Sequence, residues 1–166
     1  MKKLSLVLVI GLGLVLMAGN VFAASATQGL TINATVANTA KLTLGVATIA
    51  FPDADPDTTP SIAATQNPVT VTAKAKTTNA GAVTLTVVTG GDLTSGSDTI
   101  LIGNVTWTVT GAGFVAGTMN KTTAQSAGSW TGSGSRAGTF SYNLANSWAY
   151  ATGAYTATAT YTLTAP

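Results

Sequence analysis

Residues 154–166 read AYTATATYTLTAP, and apolar and polar side chains alternate along this stretch. Tyr155, Tyr161 and Leu163 fall at one set of alternate positions with alanines between them, whereas Thr156 to Thr164 fill the other set with threonine alone. Successive side chains of a strand point to opposite faces of its sheet. β-Branched threonine also suits a pleated, solvent-facing surface better than a helix. The stretch therefore predicts a half-buried β-strand.

The same period of two recurs along the chain. It appears in residues 29–37, 41–51, 68–76, 82–88, 99–111 and 138–146, and segments rich in turn-forming residues separate most of these stretches. No window shows the spacing of three and four residues that is typical of an amphipathic helix. Seven to eight such strands predict an antiparallel, immunoglobulin-like β-sandwich, with a closed barrel as the alternative.

The first residues have the pattern of a secretory signal peptide. Lys2 and Lys3 precede a long apolar run, and Val21 and Ala23 are small residues at the positions that signal peptidase reads. We expect cleavage after Ala23, with a transmembrane anchor as the alternative. Residues 1–23 are then the signal peptide and residues 24–166 a single exported β-sandwich domain. Its expected location is the periplasm, the cell surface or the extracellular space, with no membrane span after cleavage.

The charge balance changes once the signal peptide is set aside. Lys2 and Lys3 are two of the seven basic residues, so five basic residues remain against five aspartates and the net charge is zero. The basic isoelectric point therefore does not indicate nucleic-acid binding. Low charge also provides little repulsion between copies, which favours self-association or contact with other surface subunits.

The composition removes most catalytic chemistry. The chain contains no histidine, no cysteine and no glutamate, which excludes Ser/His/Asp and Cys/His nucleophilic systems and histidine- or thiolate-bound zinc. Without cysteine, disulfides also cannot reinforce the core of this exported chain. We therefore expect a protein that is not an enzyme.

One acidic loop is a candidate metal site. Asp53, Asp55 and Asp57 alternate within FPDADPDTTPSI, residues 51–62. Carboxylates of one tight turn are typical calcium ligands, but Thr58 and Ala64 stand where a helix-flanked calcium loop needs glycine and glutamate. The alternatives are a looser calcium site and a solvated connection that its prolines stiffen.

The aromatic residues of the last third of the chain suggest a second kind of site. Trp130, Trp148 and Tyr150 lie in glycine-rich or turn-rich segments, where exposed rings would stack on sugars. The alternative is that Trp107 and Trp148 fill the space between two sheets. These residues motivate the hypothesis of a carbohydrate or cell-wall binding module, with calcium at the acidic loop as its possible cofactor.

Residues 30–44, 69–87 and 153–166 together resemble secreted bacterial β-sandwich proteins. The order of these stretches and their alternating pattern are similar to those of fimbrial major subunits of the colonisation-factor type and of spore-coat-protein-U-like domains. The spore-coat domains, however, usually carry cysteines. The ending also resembles Trp-x-Leu cell-wall domains, but Tyr161 replaces the tryptophan of that motif. This resemblance therefore does not imply that the chain binds peptidoglycan.

The fimbrial resemblance implies that subunits join by donating a strand. In that mechanism an extended N-terminal segment of one subunit completes the sandwich of the next, and its alternate side chains enter pockets. The matching residues of this chain are Leu30, Ile32, Ala34 and Val36, in an uncharged segment just after the expected cleavage site. The alternative is an ordinary first strand within its own sheet. The expected role is thus an exported structural subunit of a surface or fimbria-like assembly.

Overall fold

The structure is a computed structural model, and it describes residues 25–166. The predicted signal peptide, residues 1–23, lies outside the described residues. The described chain divides into two units between Ala34 and Thr35. Residues 25–38 have no assigned secondary structure, and every strand lies in the second unit.

Eleven strands lie within residues 25–166. They are β1 Thr39–Leu44, β2 Ser61–Ala63, β3 Val69–Lys76, β4 Ala82–Thr89, β5 Leu93–Ser95, β6 Asp98–Ile100, β7 Val105–Thr110, β8 Gly117–Thr118, β9 Gln125–Thr131, β10 Gly134–Ala145 and β11 Ala159–Thr164. A short 3₁₀ helix, Ile102–Asn104, precedes β7. In this part of the chain, no helix is long and apolar enough to cross a bilayer.

The strands form two antiparallel layers and one small hairpin. The first sheet has the order β1-β3-β10-β7-β8, and β2 pairs with the end of β10. The second sheet has the order β11-β4-β9, and β5 and β6 form the hairpin. The predicted all-β sandwich is confirmed. Its seven long strands divide four and three, as in immunoglobulin constant domains, although the second long strand, β3, pairs with the sixth, β10, rather than the fifth.

The core consists of the inward side chains of both sheets. On β3 and β4, Val71, Ala73, Val83 and Leu85 are at most 1% exposed, whereas the threonines between them face outward or lie at intermediate depth. This alternation is the one that the sequence predicts, and it arises because successive Cβ atoms point to opposite faces.

Aromatic rings fill the centre of the core. Phe140 is fully buried, and its ring centroid lies 5.4 Å from that of Phe114 in an edge-to-face arrangement. Trp107 is 1% exposed, and its indole N–H donates to the carbonyl oxygen of Val115 at 2.8 Å. The hypothesis that Trp107 lies between the sheets is confirmed. A Cβ at Gly117 would approach the Trp107 ring to 2.5 Å, so this position requires glycine.

Candidate functional site

The two long sides of the sandwich differ in how well they are closed. At the side of β8 and β9, Phe114 bridges to Gly128, and Met119 and Trp130 are buried. The opposite side is formed by β1 and β11, which are edge strands of opposing sheets and each pair with a single strand in the described structure. β8 and β9 are edge strands as well, so the two sides differ in burial rather than in pairing; we call the side of β1 and β11, whose inward side chains are only partly buried, the open side.

The inward side chains of this open side are only half-buried. Leu42 and Leu44 on β1, and Tyr161 and Leu163 on β11, pack against the core from its rim. The groove between these strands, which we call the seam, has a volume of about 520 Å³. It exposes apolar side chains together with the unpaired backbone edges of two strands, which is the surface that an added strand would cover.

The seam adjoins a larger cavity of about 1290 Å³, which we call the end cavity. The two share Leu44, Val46 and Tyr161 among their lining residues. Buried aliphatic side chains such as Ile62, Ile100 and Ile102 also line the end cavity. An open space bordered by apolar side chains and exposed backbone therefore extends along one side of the sandwich and into one of its ends.

A few polar groups lie within this apolar lining. The hydroxyl groups of Tyr142 and Tyr161 form a hydrogen bond of 2.8 Å, and burial raises the pKa of both hydroxyls. Thr89 is 3% exposed, and its Oγ1 has no hydrogen-bond partner in the described structure. Thr89 follows Val83, Leu85 and Val87 on the inward face of β4. A buried hydroxyl without a partner is costly, so an occupant with a polar atom here would stabilise the site.

The predicted donor residues lie in the N-terminal segment. Leu30, Ile32 and Val36 are 85%, 83% and 74% exposed, and Ala34 is also exposed. They belong to residues 25–38, which have no assigned secondary structure. The segment therefore has no strand structure, and its alternating apolar side chains are exposed.

Asp55 and Asp57 of the acidic loop lie in one tight turn, and Asp53 precedes it. The Asp55 carboxylate accepts the backbone N–H of Asp57 at 2.9 Å, and the carbonyl oxygen of Asp55 accepts the N–H of Thr59 at 2.8 Å. Asp53, Asp55 and Asp57 do not converge on one point, since residues 25–166 contain no group of three potential metal ligands. Calcium binding at this loop stays a prediction.

The acidic loop contacts the segment that follows β10. The indole N–H of Trp148 donates to the carboxylate of Asp57 at 3.0 Å, and the Asn146 amide donates to the carbonyl oxygens of Ala54 and Thr59. Trp148 is 70% exposed, so its ring lies on the surface rather than between the sheets. The structure thus brings one predicted aromatic residue together with the acidic loop.

The other two predicted stacking residues, Trp130 and Tyr150, are less exposed than Trp148. Trp130 lies on β9, is 8% exposed and has the Arg136 guanidinium 6.0 Å from its ring centroid. Its ring contributes to the core and is not available for stacking on a sugar. Tyr150 is half-buried, and its hydroxyl donates to the carbonyl oxygen of Ala145 and accepts from the Asn104 amide.

One ion pair near the end cavity was not anticipated from the sequence. Lys121 pairs with Asp92, and the other oxygen of this carboxylate accepts the backbone N–H of Ile102 at 3.0 Å. The Ile102 N–H, followed by Lys121, holds the pKa of Asp92 below its usual range. The two charged residues are far apart in the chain, so no sequence spacing indicates their contact.

Comparisons with protein-family models and with curated proteins give no match for this chain. The functional interpretation therefore depends on the geometry of the seam, the end cavity and the N-terminal segment.

Proposed function

We propose that this chain is an exported structural subunit of a surface or fimbria-like assembly, and that subunits join by strand donation. The N-terminal segment of one copy adds to the seam of the next copy. The observation that carries the proposal is the coexistence of a shallow, open seam, bordered by half-buried apolar side chains and strand edges, with an exposed segment of alternating apolar side chains. Residues 25–38 have no assigned secondary structure, and β1 begins only at Thr39.

The dimensions of donor and acceptor match. A strand over residues 30–36 would span roughly 23 Å at the rise of an antiparallel strand. The two strands that border the seam, β1 and β11, have six residues each, or roughly 20 Å. Added backbone hydrogen bonds would give affinity, and the alternate side chains would fix the register.

Turn chemistry disfavours pairing of the segment with β1 of its own copy. Only Ala37 and Asn38 separate Val36 from the first residue of β1. Two-residue hairpin turns require a positive φ at their first central residue, which favours glycine or asparagine over alanine. A tight hairpin is therefore strained, and the seam of a second copy is the better acceptor.

Export and a non-catalytic role complete the proposal. The signal-peptide pattern of residues 1–23 supports transfer across the inner membrane, to the periplasm or cell surface. The absence of histidine, cysteine and glutamate from the whole sequence supports a structural role over a hydrolytic one. The fimbrial and spore-coat resemblance supports the same role at the level of pattern.

Purified chain 24–166 is expected to form oligomers whose size grows with concentration, as measured by light scattering. A synthetic peptide of residues 28–38 in excess should cap free seams and shorten the oligomers. A peptide with Leu30 and Ile32 both replaced by aspartate is the matched control and should have no effect. A chain that stays monomeric, with the Leu30–Val36 amides protected from hydrogen exchange, would contradict strand donation.

A second candidate function rests on Trp148. Its ring is 70% exposed, yet its N–H donates a hydrogen bond to Asp57. The neighbouring Asn146 amide also donates to the carbonyl oxygen of Thr59 in the acidic loop. An exposed aromatic ring in a fixed orientation is suited to stacking on the apolar face of a sugar. We therefore propose carbohydrate or cell-wall polymer binding as the alternative role of the chain.

Titration of the mature protein with soluble glycans and wall fragments should shift its tryptophan fluorescence if Trp148 binds them. The variant Trp148→Ala is expected to lose at least tenfold in affinity, whereas Asp57→Asn keeps an acceptor oxygen and should retain binding. Trp107 and Trp130 are buried, so their fluorescence should not respond to a glycan and provides an internal reference. An unchanged spectrum across a broad glycan panel would remove this alternative.

A further inference from the structure

The positive side chains of the sandwich gather at one end, which we call the basic end. Thr39 pairs with Lys76, and Gly134 pairs with Ala75, so β1 and β10 begin where β3 ends. Lys41, Lys74 and Lys76 are exposed on the outer face at this end, and Arg136 lies near the start of β10. Four of the five cations of the described residues are therefore at the basic end.

All the aspartates of the described residues lie at the opposite end, which we call the acidic end. The loop with Asp53, Asp55 and Asp57 leads into β2, which pairs with the last residues of β10. Asp92 follows the end of β4, and Asp98 opens β6, shortly before Val105 pairs with Leu144. The ends are roughly 35 Å apart along β10, from Gly134 to Ala145.

The separation leaves each end with an uncompensated charge. Side chains give four positive charges at the basic end and, with Lys121 offsetting one of five carboxylates, four negative charges at the acidic end. Lys121 with Asp92 is the single ion pair within residues 25–166. Lys41 and Lys74 are direct partners across β1 and β3, an arrangement of like charges that destabilises a sheet unless something neutralises it.

We infer that copies of this chain stack head to tail, with the basic end of one subunit against the acidic end of the next. The inference rests on the proposed assembly function and adds the relative orientation of neighbouring subunits. A contact between two different ends does not close on itself, and therefore builds a filament or ring rather than a symmetric dimer. The equal and opposite charges make a second copy of the chain a complementary partner.

The position of the donor segment agrees with this polarity. Residues 25–38 are joined to β1 at Thr39, which lies at the basic end. The end cavity opens among residues 52–56, 146–156 and Leu93, which belong to the acidic end. In a head-to-tail stack, a donor segment therefore starts beside the cavity of the next subunit and continues along its seam. Charge attraction would align the two subunits before the strand pairs.

A polyanion is the competing partner for the lysines. A nucleic acid or an anionic lipid surface would account for the basic end alone, but it would leave the matching negative end without a role. The measured dependence of self-assembly on both ends separates the two possibilities.

The test uses two charge-reversed forms of the mature chain. Lys41→Asp, Lys74→Asp and Lys76→Asp make both ends negative, and Asp53→Lys, Asp57→Lys and Asp98→Lys make both ends positive. Each form alone should assemble at least tenfold more slowly than wild type at low salt, because steering changes on-rates by about 10- to 1,000-fold. An equimolar mixture should recover, since opposite charges then meet at every junction. Circular dichroism and thermal melting check that both forms fold.

Neutral variants provide the matched control. When Lys41→Gln, Lys74→Gln and Lys76→Gln are mixed with Asp53→Asn, Asp57→Asn and Asp98→Asn, only every second junction is charge-complementary, so mixing should give dimers without the continued growth that the reversed pair shows. Wild-type assembly should also slow as salt is raised and the Debye length shortens. Reversed forms that assemble like wild type, or a mixture that fails to recover while wild type assembles, would overturn the head-to-tail contact alone. A wild-type chain that never assembles would overturn the proposed function and this inference together.

Discussion

The paired substitution Leu30→Asp and Ile32→Asp is expected to abolish assembly without changing the melting temperature of the monomer. Both side chains are more than 80% exposed in a single copy, so their loss removes no core contact. In the assembled state each aspartate would enter the apolar lining of the seam. Burying an unpaired carboxylate costs several kcal/mol, and every 1.4 kcal/mol corresponds to tenfold in affinity. We therefore expect affinity between subunits to fall by more than 100-fold, as measured by light scattering.

The opposite face of the same segment supplies the control for this prediction. Thr31 and Asn33 alternate with the apolar residues, so a donated strand would turn them toward solvent. Thr31→Asp with Asn33→Asp carries the same charge and should change affinity much less. Equal loss in both variants would indicate that charge anywhere in the segment blocks assembly, and it would contradict an alternating, strand-like mode of insertion.

Phe140→Ala is expected to lower the free energy of unfolding by about 3–5 kcal/mol, the usual cost of truncating a buried phenylalanine. Phe140 is 0% exposed, and its ring contacts Phe114, Tyr142 and Tyr161 from both sheets. Its removal leaves a cavity where the layers meet. Because domains are typically stable by 5–15 kcal/mol, the loss is a large fraction of the total. Urea denaturation followed by circular dichroism measures it.

Leu101→Ala is the matched control for the core prediction. Leu101 is 61% exposed, so its truncation should change the free energy of unfolding by less than about 0.5 kcal/mol. If Phe140→Ala were as mild as Leu101→Ala, the two sheets would not share the aromatic core described above.

The sequence predicts most of the long strands, because one face of each is buried and the other faces water, but it misses β9, and residues 29–37, which the alternation predicts as a strand, have no assigned secondary structure. On β3 the valines and alanines are buried and Lys74 and Lys76 are exposed, as the alternation indicates. The short strands β2, β5, β6 and β8 contain three residues or fewer, which is too little for a period of two to be recognised. They are defined by tertiary pairing rather than by a local pattern.

The sites were harder to predict, because exposure depends on which neighbour covers a residue. Trp148 could equally fill the core by pattern, but its loop is fixed on the surface by Asp57 and Asn146. Trp130 lies in a glycine-rich stretch, yet it pairs with Val83 across β4 and β9 and is buried by that register. Nothing in the alternation of β1 and β11 marks them as the open edges, since edge and central strands share the same period.

Copies of the mature chain carrying either Ile32→Cys or Leu163→Cys test strand donation most directly, because the natural chain contains no cysteine. Mixed and oxidised, the two pools should form a disulfide between Cys at position 32 of one copy and Cys at position 163 of another, identified by peptide mass. Such a bond requires Cβ atoms about 4 Å apart, and a strand seated beside β11 holds them at that distance, so the 32–163 bond should exceed the 32–32 and 163–163 bonds that collision produces. Oxidised pools that contain only 32–32 and 163–163 bonds, or no bonds, would contradict donation of this segment to the seam.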